Sequence, residues 1–369
     1  MRRTNRRSRQ FRYERNGGRM IKRNEKGGAV LAAILVTLLI AAAGTTALFV
    51  TGQKAIADTK PAGTSQQVIT DSSSSKSDSD SSSAEKPEEE KKVYPEKAEG
   101  YENISTKGLT CKSGILYDVD NNDIMAGLNY DKKIYPASLT KMLTLLVAVE
   151  NIDSLDKTYT FKSKDIDPLI EDNASRAGFE AGEKVTMKDL LYSSILVSGA
   201  DGTVGLANSV AGSEKAFVKL MNDKIKELGL TGTEFVNASG LHSKNHYSTA
   251  QDIALITKAC LENTTCKKIL TAGSYTTSKT KLHPKGIELT SIVISRINGY
   301  FIDTNGDNKA DAKIVGGKTG FTDEAGYTLS TICKRGNHYY ICVTTKSKSD
   351  LKAVEDQIAI YEKYLPKVK

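Results

Sequence analysis

The sequence of 369 residues predicts an α+β fold. An antiparallel sheet is expected to form from both ends of a globular region, flanked by helices, with a helical block inserted and one transmembrane helix ahead of it. Three observations lead to this prediction. Alternating apolar residues lie near both ends of the region, segments of helical periodicity lie between them, and a long uncharged apolar run stands near the amino end.

The predicted strands form two hairpins. The first consists of GLTCKSGILYDVD and DIMAGLNYD, joined by a turn at VDNND. The second is TLSTICKRGNHYYICVTTK, which turns at Arg335-Gly336-Asn337. Helical periodicity occupies the interval, over 138–150, 187–198, 213–228 and 249–261. The amphipathic segment DLKAVEDQIAIYEKYL is expected to close the sheet.

The positive charge of the chain is concentrated at its amino end. Residues 1–26 hold eleven Lys or Arg against two acidic residues, a net of +9, so the rest of a chain whose total is +8 carries −1. A globular region with no excess of positive charge offers no basic face to a polyanion. We therefore expect no nucleic-acid partner.

Residues 27–50 are predicted to be a transmembrane anchor. Within them AVLAAILVTLLIAAAGTTALFV, residues 29–50, has no charge and is long enough to cross a bilayer. The basic arm 1–26 precedes this span, so the arm is expected in the cytoplasm and everything from Thr51 onward outside. A signal peptide cleaved near Ala55-Ile56-Ala57 is the alternative, and it would export the same region.

Residues 51–98 are predicted to be a disordered linker, because they are rich in Ser, Glu and Lys and almost lack large apolar residues. The globular domain is then 99–369. It carries five cysteines, an odd number that permits at most two disulfides. Cys260 and Cys266 are close enough in sequence to pair, but buried free thiols fit the sequence equally well.

The stretch YPASLTKMLTLL, residues 135–146, places a charged residue in an apolar helix. Pro136 indicates that Ser138 lies at the helix start, and the spacing puts Lys141 on the same face. The apolar neighbours leave Lys141 little solvent, and desolvation lowers the pKa of an amine. A neutral amine beside a hydroxyl can act as the base of a serine nucleophile.

Two further stretches carry polar residues, one within an apolar helical pattern and one at the edge of a predicted hairpin. Ser198-Gly199-Ala200-Asp201 interrupts a helical apolar pattern, and Lys318-Thr319-Gly320 lies at the edge of the last hairpin. A strand edge with Lys, Thr and Gly can lay a substrate along its backbone and bind a carboxylate. Each tripeptide alone is common, so the signal lies in their order.

Ser-x-x-Lys, then Ser-Gly-x, then Lys-Thr-Gly resembles the active-site set of the penicillin-recognising serine enzymes. The most similar group is the serine D-alanyl-D-alanine carboxypeptidases, the low-molecular-weight penicillin-binding proteins. The resemblance runs from about residue 100 to 369 and includes FVNASGLHSKNHYSTAQDIALI, residues 235–256. It implies a β-lactamase/transpeptidase-like fold and a peptidase acting on peptidoglycan stem peptides that end in D-Ala-D-Ala, with β-lactams as inhibitors.

The resemblance also implies roles for individual residues. Ser138 would be the acylated nucleophile, Lys141 its proton acceptor, and Ser198 the group that relays the proton to the leaving D-alanine. No cofactor and no metal ion are expected for this chemistry.

The same resemblance assigns the substrate-binding residues. Lys318 and Thr319 would hold the terminal carboxylate, with Gly320 continuing the strand edge. The backbone N–H groups of Ser138 and Phe321 would form the oxyanion hole.

One departure concerns the second motif, which in the family usually reads Ser-x-Asn. Here Ala200 stands in the third position, so an amide expected to contact Lys141 is absent. Either Asp201 or a neighbouring group compensates, or the rate is reduced. A catalytically weakened binding or scaffold protein of the same fold is therefore the alternative function.

Other enzyme classes fit the sequence less well. His242 and His246 are four apart, but the glutamate of a zinc-peptidase H-E-x-x-H motif is missing. The G-x-S-x-G elbow of a Ser-His-Asp hydrolase is absent. A β-lactamase needs a carboxylate for deacylation, for which Glu171 is a candidate.

The segment DTNGDNKAD, residues 303–311, resembles part of a calcium-binding loop. Its acidic and amide residues fall at positions 1, 3, 5 and 9, but Asn308 replaces the glycine and Ile314 the bidentate acid. We therefore interpret it as a solvated turn, with a weak calcium site as the alternative.

Overall fold

The computed structural model describes residues 94–367, together with two short paired strands, β1 (Tyr13–Asn16) and β2 (Arg19–Lys22). The predicted span 29–50 and the linker up to residue 93 lie outside the described residues. Within the described part of the chain, no helix combines the length and apolar character needed to cross a membrane.

The domain is built on a six-stranded sheet in the order β10-β11-β12-β4-β5-β3. Both predicted hairpins are confirmed, and antiparallel pairing of β12 with β4 joins them into one sheet. The strands are β3 (Glu96–Asn103), β4 (Ser113–Asp118), β5 (Asp123–Leu128), β10 (Lys313–Thr322), β11 (Gly326–Arg335) and β12 (His338–Ser347). The two ends of the domain therefore meet in the sheet, as predicted.

Strand β3 corrects two expectations. It pairs parallel to β5, so the sheet is mixed and not purely antiparallel. It begins at Glu96, so the boundary predicted at 98/99 falls inside the strand. Because β3 is an edge strand, most of its side chains are exposed and its sequence EKAEGYEN is as polar as the linker before it.

The helical block lies between β5 and β10. It begins with a 3-10 helix (Ala137–Thr140) and contains two small antiparallel pairs, β6 (Thr158–Thr160) with β7 (Lys184–Thr186) and β8 (Ser274–Thr276) with β9 (Glu288–Thr290). Its α-helices are α1 (Lys141–Asn151), α2 (Ser163–Glu171), α3 (Met187–Leu196), α4 (Ala200–Ala211), α5 (Glu214–Glu227), α6 (Ala250–Glu262), α7 (Thr264–Leu270) and α8 (Ile292–Ile297). The last helix, α9 (Asp350–Tyr364), follows β12.

The predicted helices are present with shifted ends. The segment 138–150 starts as the 3-10 turn, and α1 begins only at Lys141. Helix α3 stops at Leu196, because Ser198 adopts a left-handed backbone with φ of 60° that cannot continue it. The starts of α3, α5, α6 and α9 are fixed by Ser or Thr caps, whose side chains accept a backbone N–H three residues on.

The sheet separates two apolar cores. Ile115 and Tyr117 of β4 face the helical block, whereas Leu116 faces the opposite side and packs with Tyr361 of α9. This alternation follows the two-residue period of a strand. Helix α1 lies within the first core, so apolar residues surround it on almost all sides.

All five cysteines are buried as free thiols, so the Cys260–Cys266 pair is not bridged in this structure. Burial raises the pKa of the Cys111 and Cys333 thiols to about 12. Neither is therefore a thiolate nucleophile at neutral pH.

The buried carboxylate of Asp356 joins α9 to the sheet. It accepts hydrogen bonds from the backbone N–H of Thr110 and Cys111, at 2.8 and 2.9 Å, and from the hydroxyls of Thr110 and Ser347. We expect Asp356→Ala to lower the free energy of unfolding by about 3 kcal/mol, because it leaves several buried donors unpaired. Urea denaturation followed by circular dichroism measures this.

The matched control is Glu355→Ala on the same helix, which removes a surface ion pair with Lys352. Its expected cost is below about 1 kcal/mol. Equal losses in the two variants would contradict the role given to Asp356.

Candidate active site

Ser138 and Lys141 lie together at the junction of the 3-10 helix and α1. Lys141 Nζ is 3.0 Å from Ser138 Oγ, and it donates a hydrogen bond of 2.6 Å to the backbone carbonyl of Ser239. The lysine side chain is buried. The predicted proximity of the two groups is therefore confirmed.

Burial has the predicted effect on the amine. Desolvation lowers the pKa of Lys141 to about 7, although the negative charges of Asp201 and Glu214 oppose the shift. A substantial fraction of the lysine is thus neutral near pH 7. The neutral amine has a lone pair for the proton of the Ser138 hydroxyl.

Ser198 and Lys318 form the second half of the cluster. Lys318 Nζ donates to Ser198 Oγ at 2.9 Å and to the backbone carbonyl of Thr319 at 2.8 Å. Its pKa lies well below the usual range because of burial and the nearby positive charges of Lys141 and Arg296. Both acceptors are neutral oxygens, so this lysine is positioned to receive an anion.

Strand β10 brings Lys318 to the nucleophile. It is an edge strand that contacts the 3-10 helix, and a Cβ on Gly320 would lie 2.9 Å from Ser138 N. Only glycine permits this close approach. Thr319 is buried beside it, while Phe321 is half-exposed at the rim and packs on Tyr327, with ring centroids 4.5 Å apart.

Asp201 does not replace the missing amide of the second motif. Its carboxylate accepts the backbone N–H groups of Ala177, Gly178, Phe179 and Gly202, at 2.9 to 3.2 Å. The bonds from Ala177, Gly178 and Phe179 hold the loop ahead of β7 against α4. The neighbouring group that contacts Lys141 is instead the backbone carbonyl of Ser239, a contact that the sequence does not predict.

The segment 237–246 supplies contacts that sequence reasoning missed. Asn237 Oδ1 accepts the N–H groups of Ser239 and Gly240, shaping a turn behind Ser138. His246 is buried and contacts Thr140. The family-like letters FVNASGLHSKNH marked this segment, but no residue role followed from them.

The structure also bears on the alternatives. His246 bonds Thr140 and Val236, whereas His242 lies 3.5 Å from Glu324, so the two histidines serve different contacts. Among the described residues, no group of three or more His, Cys, Asp or Glu is arranged to hold a metal ion.

The acidic residues considered for calcium binding and for β-lactamase chemistry either accept hydrogen bonds within their own turn or lie exposed to solvent. In segment 303–311, Asp303 and Asp307 accept backbone N–H groups of their own turn. Glu171, the carboxylate considered for a β-lactamase, is exposed at the end of α2.

Comparison with known proteins identifies the family of this chain. The D-alanyl-D-alanine carboxypeptidase family profile matches residues 101–349. The chain belongs to this family. The carboxypeptidase DacF of Bacillus subtilis is 32% identical over 232 residues, which cover 63% of this chain and 56% of that protein. DacC of Escherichia coli is 30% identical over 259 residues, covering 68% and 60%.

The family fold is also present in solved structures. The crystal structure of a Streptomyces DD-transpeptidase matches with a TM-score of 0.59 and 26% identity, covering 70% of this chain and 99% of that chain. The match to the carboxypeptidases DacF and DacC spans less than two thirds of their length.

As the expected base, Lys141 would act in its neutral form, so its protonation should stop the reaction of Ser138. We expect the rate of Ser138 acylation by a β-lactam to be level above the pKa of about 7 and to fall about tenfold per pH unit below it. Rates of covalent labelling measured from pH 5 to 9 test this.

Lys141→Arg is the control, since a guanidinium stays protonated throughout this range. It should give no labelling at any of these pH values. A wild-type profile that is flat across the range would contradict the assignment of Lys141 as the base.

Proposed function

We propose that this chain is a serine D-alanyl-D-alanine carboxypeptidase that removes the terminal D-alanine from peptidoglycan stem peptides in cell-wall maturation. The observation that carries the proposal is the contact between the buried Lys141 amine and the Ser138 hydroxyl. Family membership supports the choice of substrate.

In the proposed acylation, Lys141 takes the hydroxyl proton of Ser138 while Oγ bonds to the carbonyl carbon of the penultimate D-alanine. The N–H groups of Ser138 and Phe321 stabilise the oxyanion. Collapse of the tetrahedral intermediate breaks the C–N bond, and Ser198 relays the proton held by Lys141 to the departing amine, which leaves Lys141 neutral again. D-Alanine leaves, and water then cleaves the ester: its hydroxyl goes to the carbonyl carbon and its remaining hydrogen to Ser138 Oγ.

Recognition of a chain end follows from Lys318. Its two acceptors are neutral oxygens, so the terminal carboxylate of the substrate would supply the negative charge that the buried ammonium lacks. The Thr319 hydroxyl would donate to the same carboxylate. The carboxylate of a β-lactam would bind in the same way, which makes these antibiotics inhibitors.

The apolar run at 29–50 supports a location for this activity. It would hold the protein in the cell membrane as a single-pass anchor with the basic arm 1–26 in the cytoplasm. The linker from Thr51 to the start of β3 at Glu96 would then place the domain outside the membrane, within reach of the cell wall.

Two assays on the full-length chain in detergent test the proposal. A fluorescent penicillin should label the protein covalently, and a peptide ending in D-Ala-D-Ala should release D-alanine. Ser138→Ala should abolish both, because the acyl acceptor is lost. Absence of labelling and release in the unchanged protein would refute the enzyme; label that persists in Ser138→Ala would refute the site.

Ala200 supports a second candidate, a weakened enzyme that mainly binds or organises peptidoglycan. In that case penicillin should label Ser138 while release of D-alanine stays slow. Ala200→Asn should then raise the release rate at least tenfold, because a transition-state contact contributes on this scale. An unchanged rate would show that the Ser239 carbonyl already satisfies Lys141.

A further inference from the structure

The His246 side chain is held in one tautomer behind the nucleophile. Its ring is 2% exposed and stacks on Phe235, with centroids 4.6 Å apart. Nδ1 lies 3.1 Å from the backbone N–H of Val236, which can only donate, so Nδ1 accepts. The ring proton is therefore on Nε2, which donates to Thr140 Oγ1 at 2.7 Å.

The hydroxyl of Thr140 continues the chain of hydrogen bonds. It lies 2.8 Å from the carbonyl oxygen of Ala137, which can only accept, so the hydroxyl hydrogen points to that oxygen. Thr140 can then receive the hydrogen of His246 on a lone pair. Three hydrogen bonds thus run in one direction, from Val236 through His246 and Thr140 to Ala137.

The Ala137 carbonyl shares a rigid plane with the Ser138 N–H. The two bonds of a trans peptide point in opposite directions, so fixing one aims the other. A Cβ on Gly240 would lie 2.0 Å from Ala137 O and 3.0 Å from Ser138 N, so the carbonyl oxygen is the atom of this peptide nearest to Gly240. A Cβ on Gly320 would lie 2.9 Å from Ser138 N, and no Ala137 atom is among its three nearest neighbours. The carbonyl therefore faces the 237–246 segment and the N–H faces β10.

This peptide needs support from its surroundings. Ala137 has a left-handed backbone with φ of 49°, a conformation that is unfavourable for a residue with a Cβ. Such a geometry persists where neighbouring contacts determine it. The hydrogen bond from Thr140 and the contact with Gly240 provide these contacts.

We propose that His246 and Thr140 are positioning residues that aim the Ser138 N–H at the oxyanion by holding the Ala137 carbonyl. The inference rests on the proposed function, since it concerns the oxyanion hole of that reaction. Neither residue touches the substrate; both act through the Ala137–Ser138 peptide.

Paired variants separate hydrogen bonding from packing. His246→Phe keeps a ring against Phe235 but loses both nitrogens, while the amide of His246→Gln reaches the Nε2 position. Thr140→Val removes the hydroxyl at nearly constant shape, and Thr140→Ser restores it. His338→Gln, at an exposed histidine bonded to Asp120, controls for the substitution itself.

The measurement is the rate of acylation of the full-length protein by a fluorescent penicillin. The rate is divided by the amount of protein that penicillin labels at saturation. This normalisation removes any misfolded fraction. We expect His246→Phe and Thr140→Val each to slow acylation by about tenfold to a hundredfold, somewhat less than the loss of a whole oxyanion donor. The Gln and Ser variants should recover most of the rate.

Three further readings distinguish positioning from a general structural role. For the D-Ala-D-Ala peptide, kcat should fall with KM nearly unchanged, because oxyanion contacts act in the transition state. The acid limb near pH 7 should stay in place, since it belongs to Lys141. The double variant should lose no more than either single one, because both break the same chain of hydrogen bonds.

Wild-type rates in His246→Phe or in Thr140→Val would overturn the positioning role while leaving the proposed function intact. Thr140→Val also decides the matter where His246→Phe does not fold. If the unchanged protein is not acylated at all, the proposed function fails, and the positioning role fails with it.

Discussion

The exclusion of water from two lysine side chains is the constraint on which the rest of the site depends. Lys141 and Lys318 are both buried; burial lowers the pKa of each amine, and the nearby positive charge of Lys141 lowers the pKa of Lys318 further. Their direct acceptors are a carbonyl or hydroxyl oxygen in each case. Burying two lysines without a carboxylate partner destabilises a folded protein. The burial is useful where the site needs a neutral amine, as proposed for Lys141, or binds an anion, as proposed for Lys318.

The architecture around them follows from this requirement. Helix α1 must be apolar on nearly all sides to keep Lys141 dry, and the sheet must present β10 as an edge so that Lys318 can approach from the other side. Acidic side chains close by bond elsewhere, as Asp201 does with four backbone N–H groups and Glu214 with the N–H of Ala238. These two negative charges oppose the lowering of the Lys141 pKa, while the carboxylates themselves bond to backbone N–H groups.

The parts of the fold and of the site that depend on apolar periodicity and on the order of motifs can be predicted from the sequence. The apolar setting of Lys141 predicted its burial, and alternation predicted both hairpins. Strand β3 was missed because an exposed edge strand has the composition of a linker. His246 was considered only as a metal ligand, since its contacts with Thr140 and Val236 depend on a turn geometry that spacing does not reveal.

The pairing of β12 with β4 has a consequence for how this protein is made. Strand β4 lies inside the finished sheet, yet its partner β12 is synthesised more than two hundred residues later. Until then the nascent chain carries a strand of fully buried residues with one edge unpaired, the kind of surface that invites aggregation. Lys318 likewise joins Ser198 only when the final meander is present. The domain therefore completes its sheet and brings Lys318 to Ser198 late in synthesis and in the same step.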